Sequence, residues 1–294
     1  MTITQFQVFA TIVETGSFTK AGEALNMTQS AVSHALAALE AELGITLLIR
    51  DKRQGLLLSD IGKSFLIHIR EILSRYEQIK QEAAQASGLE IGTIRIGSFP
   101  SASMHLLPKM LGVFHSQHPN VEVVLFEGTF QEVTEWLTSR IVDIGFLSLP
   151  HADLDTIPLT QDQMMVVLPL DHRLRDNESI RLAELADEPF IMTKAGSEVL
   201  ITNMFREANI SPAIRFHVQD GGTLLHMVQE GLGITIAPDL SLPRTPLALH
   251  KKSLNPPVWR QLSLACPSFR DASPAVKAFV QVAKTLYPHE NHTK

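Results

Sequence analysis

Thr19-Lys20-Ala21-Gly22-Glu23-Ala24-Leu25-Asn26-Met27-Thr28-Gln29-Ser30-Ala31-Val32-Ser33-His34 is the stretch that decides the fold. Its first half sets Ala21, Ala24 and Leu25 at helical spacing, with Thr19 placed to cap a short helix. Asn26-Met27-Thr28 reads as a three-residue turn, because asparagine tolerates the left-handed conformation. A second helix follows, with Ala31, Val32, Ala35, Leu36 and Leu39 turned inward and Leu43-Gly44 closing it. A short helix, a three-residue turn and a second helix make a helix-turn-helix, whose second helix enters the major groove of DNA by its N-terminal end. Thr28 opens that helix, and Gln29, Ser30, Ser33 and His34 are left facing outward. A glutamine amide bonds adenine through two hydrogen bonds, and serine serves either base edge. His34 is able to donate to a guanine acceptor or to a phosphate. On residue type alone the same four side chains also fit a solvated polar face; the turn before them and the basic loop after them favour DNA.

Upstream, Thr4-Gln5-Phe6-Gln7 fits a capping box, Phe6, Phe9, Ala10 and Val13 share one helical face, and Gly16 suits a left-handed C-cap. Downstream, Leu47-Leu48-Ile49-Arg50 and Leu56-Leu57-Leu58 read as two strands. Between them Asp51-Lys52-Arg53-Gln54-Gly55 is a polar basic loop with a turn glycine, a wing. Arg50 and Arg53 are candidates for phosphate or minor-groove contacts; for Arg50 a salt bridge to a nearby acid is the alternative. Residues 1–58 therefore read as a winged helix-turn-helix domain. Residues 59–88 read as a linker, with one helix over 60–87 about 42 Å long. Phe65, Ile69, Ile72, Tyr76, Ile79, Ala83 and Ala86 fall along it in alternating steps of four and three. Such a stripe packs either on its own chain or against a second copy, and its narrow period favours a dimer seam.

From Ile91 onward short apolar runs alternate with helical patterns, which predicts α/β structure with a mostly parallel sheet. Strands are expected over 91–97, 121–127, 142–147, 164–168, 189–193, 214–218, 234–237 and 261–265. With 294 residues, 45% hydrophobic and 19% charged, the chain has an ordinary globular balance and the length of at least two domains. A single cysteine, Cys266, rules out an internal disulfide. The chain has no secretory leader pattern and no apolar run long enough for a bilayer, so a cytoplasmic protein without membrane contact is expected. The net charge of −6 weighs against nucleic acid as a whole, but the basic residues at 50–53 are clustered, and binding depends on local charge. No nucleophile elbow, phosphate-binding loop or complete dinucleotide fingerprint is present, so no enzyme, cofactor or metal site is expected. His115 and His118 lack the further ligands a metal needs.

Taken together, Gly16-Ser17-Phe18-Thr19-Lys20-Ala21, Leu25, Thr28 to His34, Leu39-Glu40, Leu43-Gly44, Leu47-Leu48 and Arg50 resemble the N-terminal signature of the LysR-type transcriptional regulators. Weaker matches continue through Leu106-Leu107-Pro108, Val142-Asp143-Ile144-Gly145, Glu230-Gly231-Leu232-Gly233-Ile234 and Ser273-Pro274-Ala275. Three positions depart from the family pattern: Gly22 replaces a frequent alanine, Leu48 a phenylalanine and His34 an arginine. The resemblance implies an effector-binding domain over 89–294, two-lobed like a type 2 periplasmic binding protein. Lobe one would take 91–161 and 267–294, lobe two 163–265, with crossovers near 161–163 and 266–268. It also implies a small-molecule effector between the lobes, homodimers that assemble to tetramers, double-stranded operator DNA and RNA polymerase as partners. Strand ends rich in hydroxyls would line the cleft: Ser98, Ser101 and Ser103, then Thr129 and Phe130, then Thr193 and Ser197, with Asp220-Gly221-Gly222-Thr223 as a further rim. Each hydroxyl has the alternative of a simple helix cap; their convergence favours a small anionic ligand. A solute-binding protein or an enzyme on the same bilobal fold are the rival readings. The first would not need residues 1–87, and the second lacks a catalytic residue.

Overall fold

The computed structural model describes residues 1–51, 55–87, 91–148, 150–243 and 248–288. The chain divides into two compact units, Met1–Leu89 with Ser139–Ile141, and Glu90–Thr138 with Val142–Lys294.

The first unit opens with α1, Ile3–Thr15. Its cap is Thr2, which with Gln5 forms the capping box, and not the expected Thr4 and Gln7. Both pairs satisfy the Thr-x-x-Gln pattern, and the earlier one lengthens the helix by two residues. Gly16 ends it at φ 64°. Helix α2, Phe18–Leu25, is capped by Ser17 and not by Thr19, so Phe18 joins the core side of the helix. Asn26, at φ 53°, turns the chain. Helix α3, Gln29–Leu43, is capped by Thr28 and closed by Gly44 at φ 68°. Val32, Leu36 and Leu39 are buried, while Ala31 and Ala35 are half-buried. Strands β1, Leu48–Asp51, and β2, Gly55–Leu58, pair antiparallel as the wing hairpin. Glu40 Oε1 accepts from the Leu47 and Leu48 amides at 2.7 and 3.1 Å, tying α3 to the wing.

Helix α4, Asp60–Ala86, is capped by Ser59. Leu66 and Ile69 are buried in the same core as Phe9, Val32 and Leu39, with Phe65 and Leu73 packed against it. The helix therefore starts as part of the DNA-binding unit and not as a free linker. Two glycines let this unit close. A β-carbon at Gly22 would lie 2.6 Å from the Met27 carbonyl oxygen, and one at Gly62 would lie 2.2 Å from that of Leu47. The departure from alanine at Gly22 is thus explained by the tight approach of the turn.

The second unit is built around two cores. Strands β3 (Gly92–Ser98), β4 (Val121–Glu127) and β5 (Ile144–Leu147) are parallel, in the order β4-β3-β5. Helices α5 (Pro100–His105), α6 (Leu107–Gln117) and α7 (Phe130–Thr138) connect them. A strand of 15 residues, β6 (Asp155–Pro169), runs on from this region. Beyond it come β7 (Ser179–Ile180), β8 (Pro189–Thr193), α8 (Glu198–Glu207), β9 (Ala213–Val218), α9 (Gly221–Gln229), β10 (Thr235–Pro238) and β11 (Leu249–Leu254). The chain returns through β12 (Trp259–Cys266) and ends in α10 (Pro274–Leu286).

The sheet is mixed and not mostly parallel: β12 joins β5 and β6 antiparallel, and β10 and β11 join the far half of β6 antiparallel. The short β7 and all of β11 were not anticipated; β11 reads His250-Lys251-Lys252-Ser253, polar enough to mask it. Leu262, Leu264 and Cys266 of β12 belong to the first core with Ile94, Phe146 and Phe279, whereas Met164, Val166 and Leu168 of β6 belong to the second with Phe190 and Phe205. The return crossover therefore lies around Trp259–Gln261, ahead of the expected 266–268, because strand alternation already commits Leu262 to the first core. Gln161 is paired with Gln261 at the middle of this ribbon.

Candidate nucleic-acid interface and effector cavity

The N-terminal turns of α3 gather the expected DNA-facing residues. Thr28, Gln29, Ser30 and His34 are exposed, and Ser33 is half-buried. Thr28 Oγ1 accepts from the Ala31 amide at 3.2 Å and lies 3.0 Å from Ser30 Oγ, so these two hydroxyls first serve the helix end. Gln29 and His34 project from the same end without that duty. Arg50 is placed by its backbone in β1, opposite Leu56. Arg53 lies outside the described residues.

The expected seam on α4 separates into two faces. Ile69 is buried in its own chain and Phe65 packs half-buried against the same core. Ile72, Tyr76 and Ile79 stay outside, 42%, 37% and 64% exposed, and with Ile3, His68, Glu71 and Arg75 line a groove of about 450 Å³. The 3.6-residue period of a straight helix explains the division: Leu66, Ile69 and Leu73 form one stripe, and Ile72, Tyr76 and Ile79 the next.

In the second unit a cavity of about 540 Å³ opens beside the two strands that link its cores. That volume lies inside the range of roughly 300–1,000 Å³ usual for small-molecule sites. Of the hydroxyl-bearing strand ends and their neighbours, Ser101, Phe130, Thr193 and Ser197 line it. Ser98, Ser103 and Thr129 do not. Ser98 is buried and accepts from Ser103 at 2.9 Å. Thr129 caps α7 in a capping box: its amide and hydroxyl donate to Glu132 Oε2 at 2.7 and 2.9 Å, and its Oγ1 accepts from the Glu132 amide at 3.3 Å. These bonds, the backbone one foremost, hold the Glu132 carboxyl below its ordinary pKa. Thr129 and Ser103 line a neighbouring hollow of about 400 Å³ instead. At the rim, Asp220 caps α9 through the Thr223 amide at 2.7 Å, so that helix terminus is already satisfied. The Thr223 bonds, backbone first, hold the Asp220 carboxyl low.

The residue that sequence reading missed is Arg260. It faces Asp162 directly across the antiparallel β12–β6 pair. Their side chains are each only 1% exposed. Asp162 Oδ2 accepts from Arg260 Nε at 2.9 Å and Nη2 at 2.5 Å, and Oδ1 accepts from the Leu240 amide at 3.0 Å. Nη2 also donates to Ser101 Oγ at 2.8 Å. The guanidinium lies 5.8 Å from the Phe99 ring centre and 5.6 Å from that of Phe130, within cation–π range. Burial pushes its pKa down and Asp162 opposes that, and a guanidinium stays charged throughout. Strand alternation was the available signal: Arg260, Leu262 and Leu264 share one face of β12, as Asp162, Met164 and Val166 share one face of β6.

Residues 3–63 match the family described as bacterial regulatory helix-turn-helix protein, lysR family, and residues 87–287 match the LysR substrate binding domain. The chain belongs to the LysR family of transcriptional regulators. It is 47% identical to YvbU, an HTH-type transcriptional regulator of Bacillus subtilis, across 99% of this chain and 100% of that one. The fold follows that of a full-length OxyR variant from Pseudomonas aeruginosa, with a TM-score of 0.75 at 22% identity over 97% and 95% of the two chains. It also follows full-length CbnR in complex with its target DNA, with a TM-score of 0.64 at 22% identity over 97% and 100%. As a LysR-family member the chain is a DNA-binding transcriptional regulator with an effector-binding domain, not an enzyme. Among the described residues no cluster of histidine, cysteine and carboxylate side chains suits a metal ion, and no helix is long and apolar enough to cross a membrane.

Proposed function

We propose that this regulator reads its operator with Gln29, Ser30, Ser33 and His34, with Thr28 holding the helix end and Arg50 and Arg53 on the phosphates, and that a small anionic effector occupies the 540 Å³ cavity of the second unit. The observation that carries the effector half is Arg260, a buried guanidinium on the cavity wall. Fixing a charge there is costly unless it does something for a ligand or for the fold. Two copies pair through the exposed Ile72–Tyr76–Ile79 stripe of α4, which leaves apolar side chains in water in a lone chain. Pairing presents two α3 helices to half-sites one or more DNA turns apart, in steps of about 34 Å. Effector binding favours one arrangement of a tetramer over another and so alters the promoter complex offered to RNA polymerase in the cytoplasm.

The test of the DNA half is Gln29→Ala in a competition gel shift between operator and random duplex. The preference for operator drops by about 1–3 kcal/mol if Gln29 reads a base. An unchanged preference assigns Gln29 to the solvated face.

A further inference from the structure

Resting on the cavity reading above, we infer that the effector is a monocarboxylate with an apolar body, anchored by Arg260 Nη1 and the Ser101 hydroxyl. The charge balance disfavours more than one negative charge on the ligand. Arg260 is the one lysine or arginine among the described lining residues, and its charge is matched by Asp162 beside it. The remaining lining carboxylate, Asp220, adds a negative charge at the rim. A dicarboxylate or a phosphate ester would bring a second negative charge to a lining that, apart from Arg260, offers only the imidazoles of His105 and His226 against Asp220.

The hydrogen-bond inventory sets the head group. A guanidinium offers five N–H donors in a fixed fork. Nε and one N–H of Nη2 are spent on Asp162, and the other N–H of Nη2 on Ser101. Among the described residues no partner is found for Nη1, whose two donors are left for an acceptor in the cavity that Arg260 lines. Ser101 Oγ accepts from the arginine and keeps its own proton to donate. One oxygen on Nη1 and its twin on Ser101 is the pattern of a carboxylate. The walls set the body: Met104, Phe130, Leu224, Leu225 and Leu242 face the cavity. A sugar or a polyol would leave unpaired those hydroxyls that face these five side chains, which costs affinity.

The experiment is titration of the full-length protein with phenylacetate, cyclohexanecarboxylate and hexanoate in one arm. Phenylacetamide, succinate, ribose phosphate and phenylalanine form the other, all read by calorimetry and thermal unfolding. At least one monocarboxylate binds ten times or more tighter than phenylacetamide, and succinate and ribose phosphate give no shift. In Asp162→Asn with Arg260→Gln, which removes both charges together, the acid-over-amide preference falls to about one. Should that pair fail to fold, Ser101→Ala, which keeps the ion pair, lowers the preference at least threefold. Equal binding of acid and amide, or an unchanged preference in the variants, overturns the anchor. Tighter binding of succinate, ribose phosphate or phenylalanine, lost in the same variants, overturns the class while the cavity reading stands. No shift with any probe removes both.

Discussion

Gly62→Ala tests the closure of the DNA-binding unit. The added β-carbon would sit 2.2 Å from the Leu47 carbonyl oxygen and 3.1 Å from the Leu47 carbonyl carbon. Ordinary C···O approach is about 3.3 Å at its closest, so β1 and α4 must part by roughly 1 Å. The same carbonyl accepts from the Ser59 amide at 3.0 Å, and Ser59 caps α4 and donates to the Thr46 carbonyl at 2.7 Å, so the strain falls on three linked bonds. Overpacking of this kind costs about 1–3 kcal/mol, and weakening one or two hydrogen bonds adds about 1 each. The gain in helix propensity returns about 1 kcal/mol. The net loss is about 1–4 kcal/mol, or about 4–30 °C in the melting of a unit this small. The assay separates the units by itself. Both tryptophans, Trp136 and Trp259, lie in the second unit, so fluorescence follows that unit alone while far-ultraviolet circular dichroism follows helices in both. The circular dichroism trace gains an early transition and the fluorescence midpoint stays put. A melting curve as high as wild type in both signals would mean that the backbone yields freely at Leu47 and that the glycine is not needed there.

Asp162→Ala leaves a buried guanidinium without its partner and should cost about 3–5 kcal/mol in denaturant titration. Adding Arg260→Met should recover most of it, and a double variant no more stable than the single one would contradict the pairing. The Glu132 carboxyl, held low mainly by the Thr129 amide, contributes stability in full above the ordinary glutamate pKa and loses it as the pH falls through the depressed folded value. Glu132→Gln should therefore flatten the acid limb of the stability profile, and a parallel limb counts against the capping box. Ile79→Glu puts a charge on the exposed stripe of α4 and should drive sedimentation toward single chains; an unmoved association constant would place the dimer contact elsewhere.

The helix-turn-helix was legible because its signals are local. Asn26, Thr28 and Gly44 each announce a backbone state within a few residues of where it is needed, and Val32, Leu36 and Leu39 fall on one face whatever the tertiary context. Caps were misplaced by two residues at Thr2 and Ser17, since neighbouring hydroxyls offered equally good patterns and only packing chose between them. Of the two roles open to Thr129 the structure displays the helix cap, which Thr129-Phe130-Gln131-Glu132 spells out as a capping box. Arg260 and Asp162 stayed hidden for a different reason. They are 98 residues apart, neither stands in a motif, and only the register of β12 on β6 brings them face to face. The α4 stripe was half legible: spacing revealed an apolar face, but not which turns the chain would keep for its own core.

The ribbon of β6 and β12 carries a mechanical consequence. Arg260 and Asp162 are rungs of the ladder that spans from one core to the other, and the ladder slips register just beyond, between Leu262 and Ser263. A molecule that grips Arg260 therefore holds the strand pair shared by both cores, not a flap at the periphery. A tug on those rungs reaches either core through backbone hydrogen bonds alone, with no relay of side chains between.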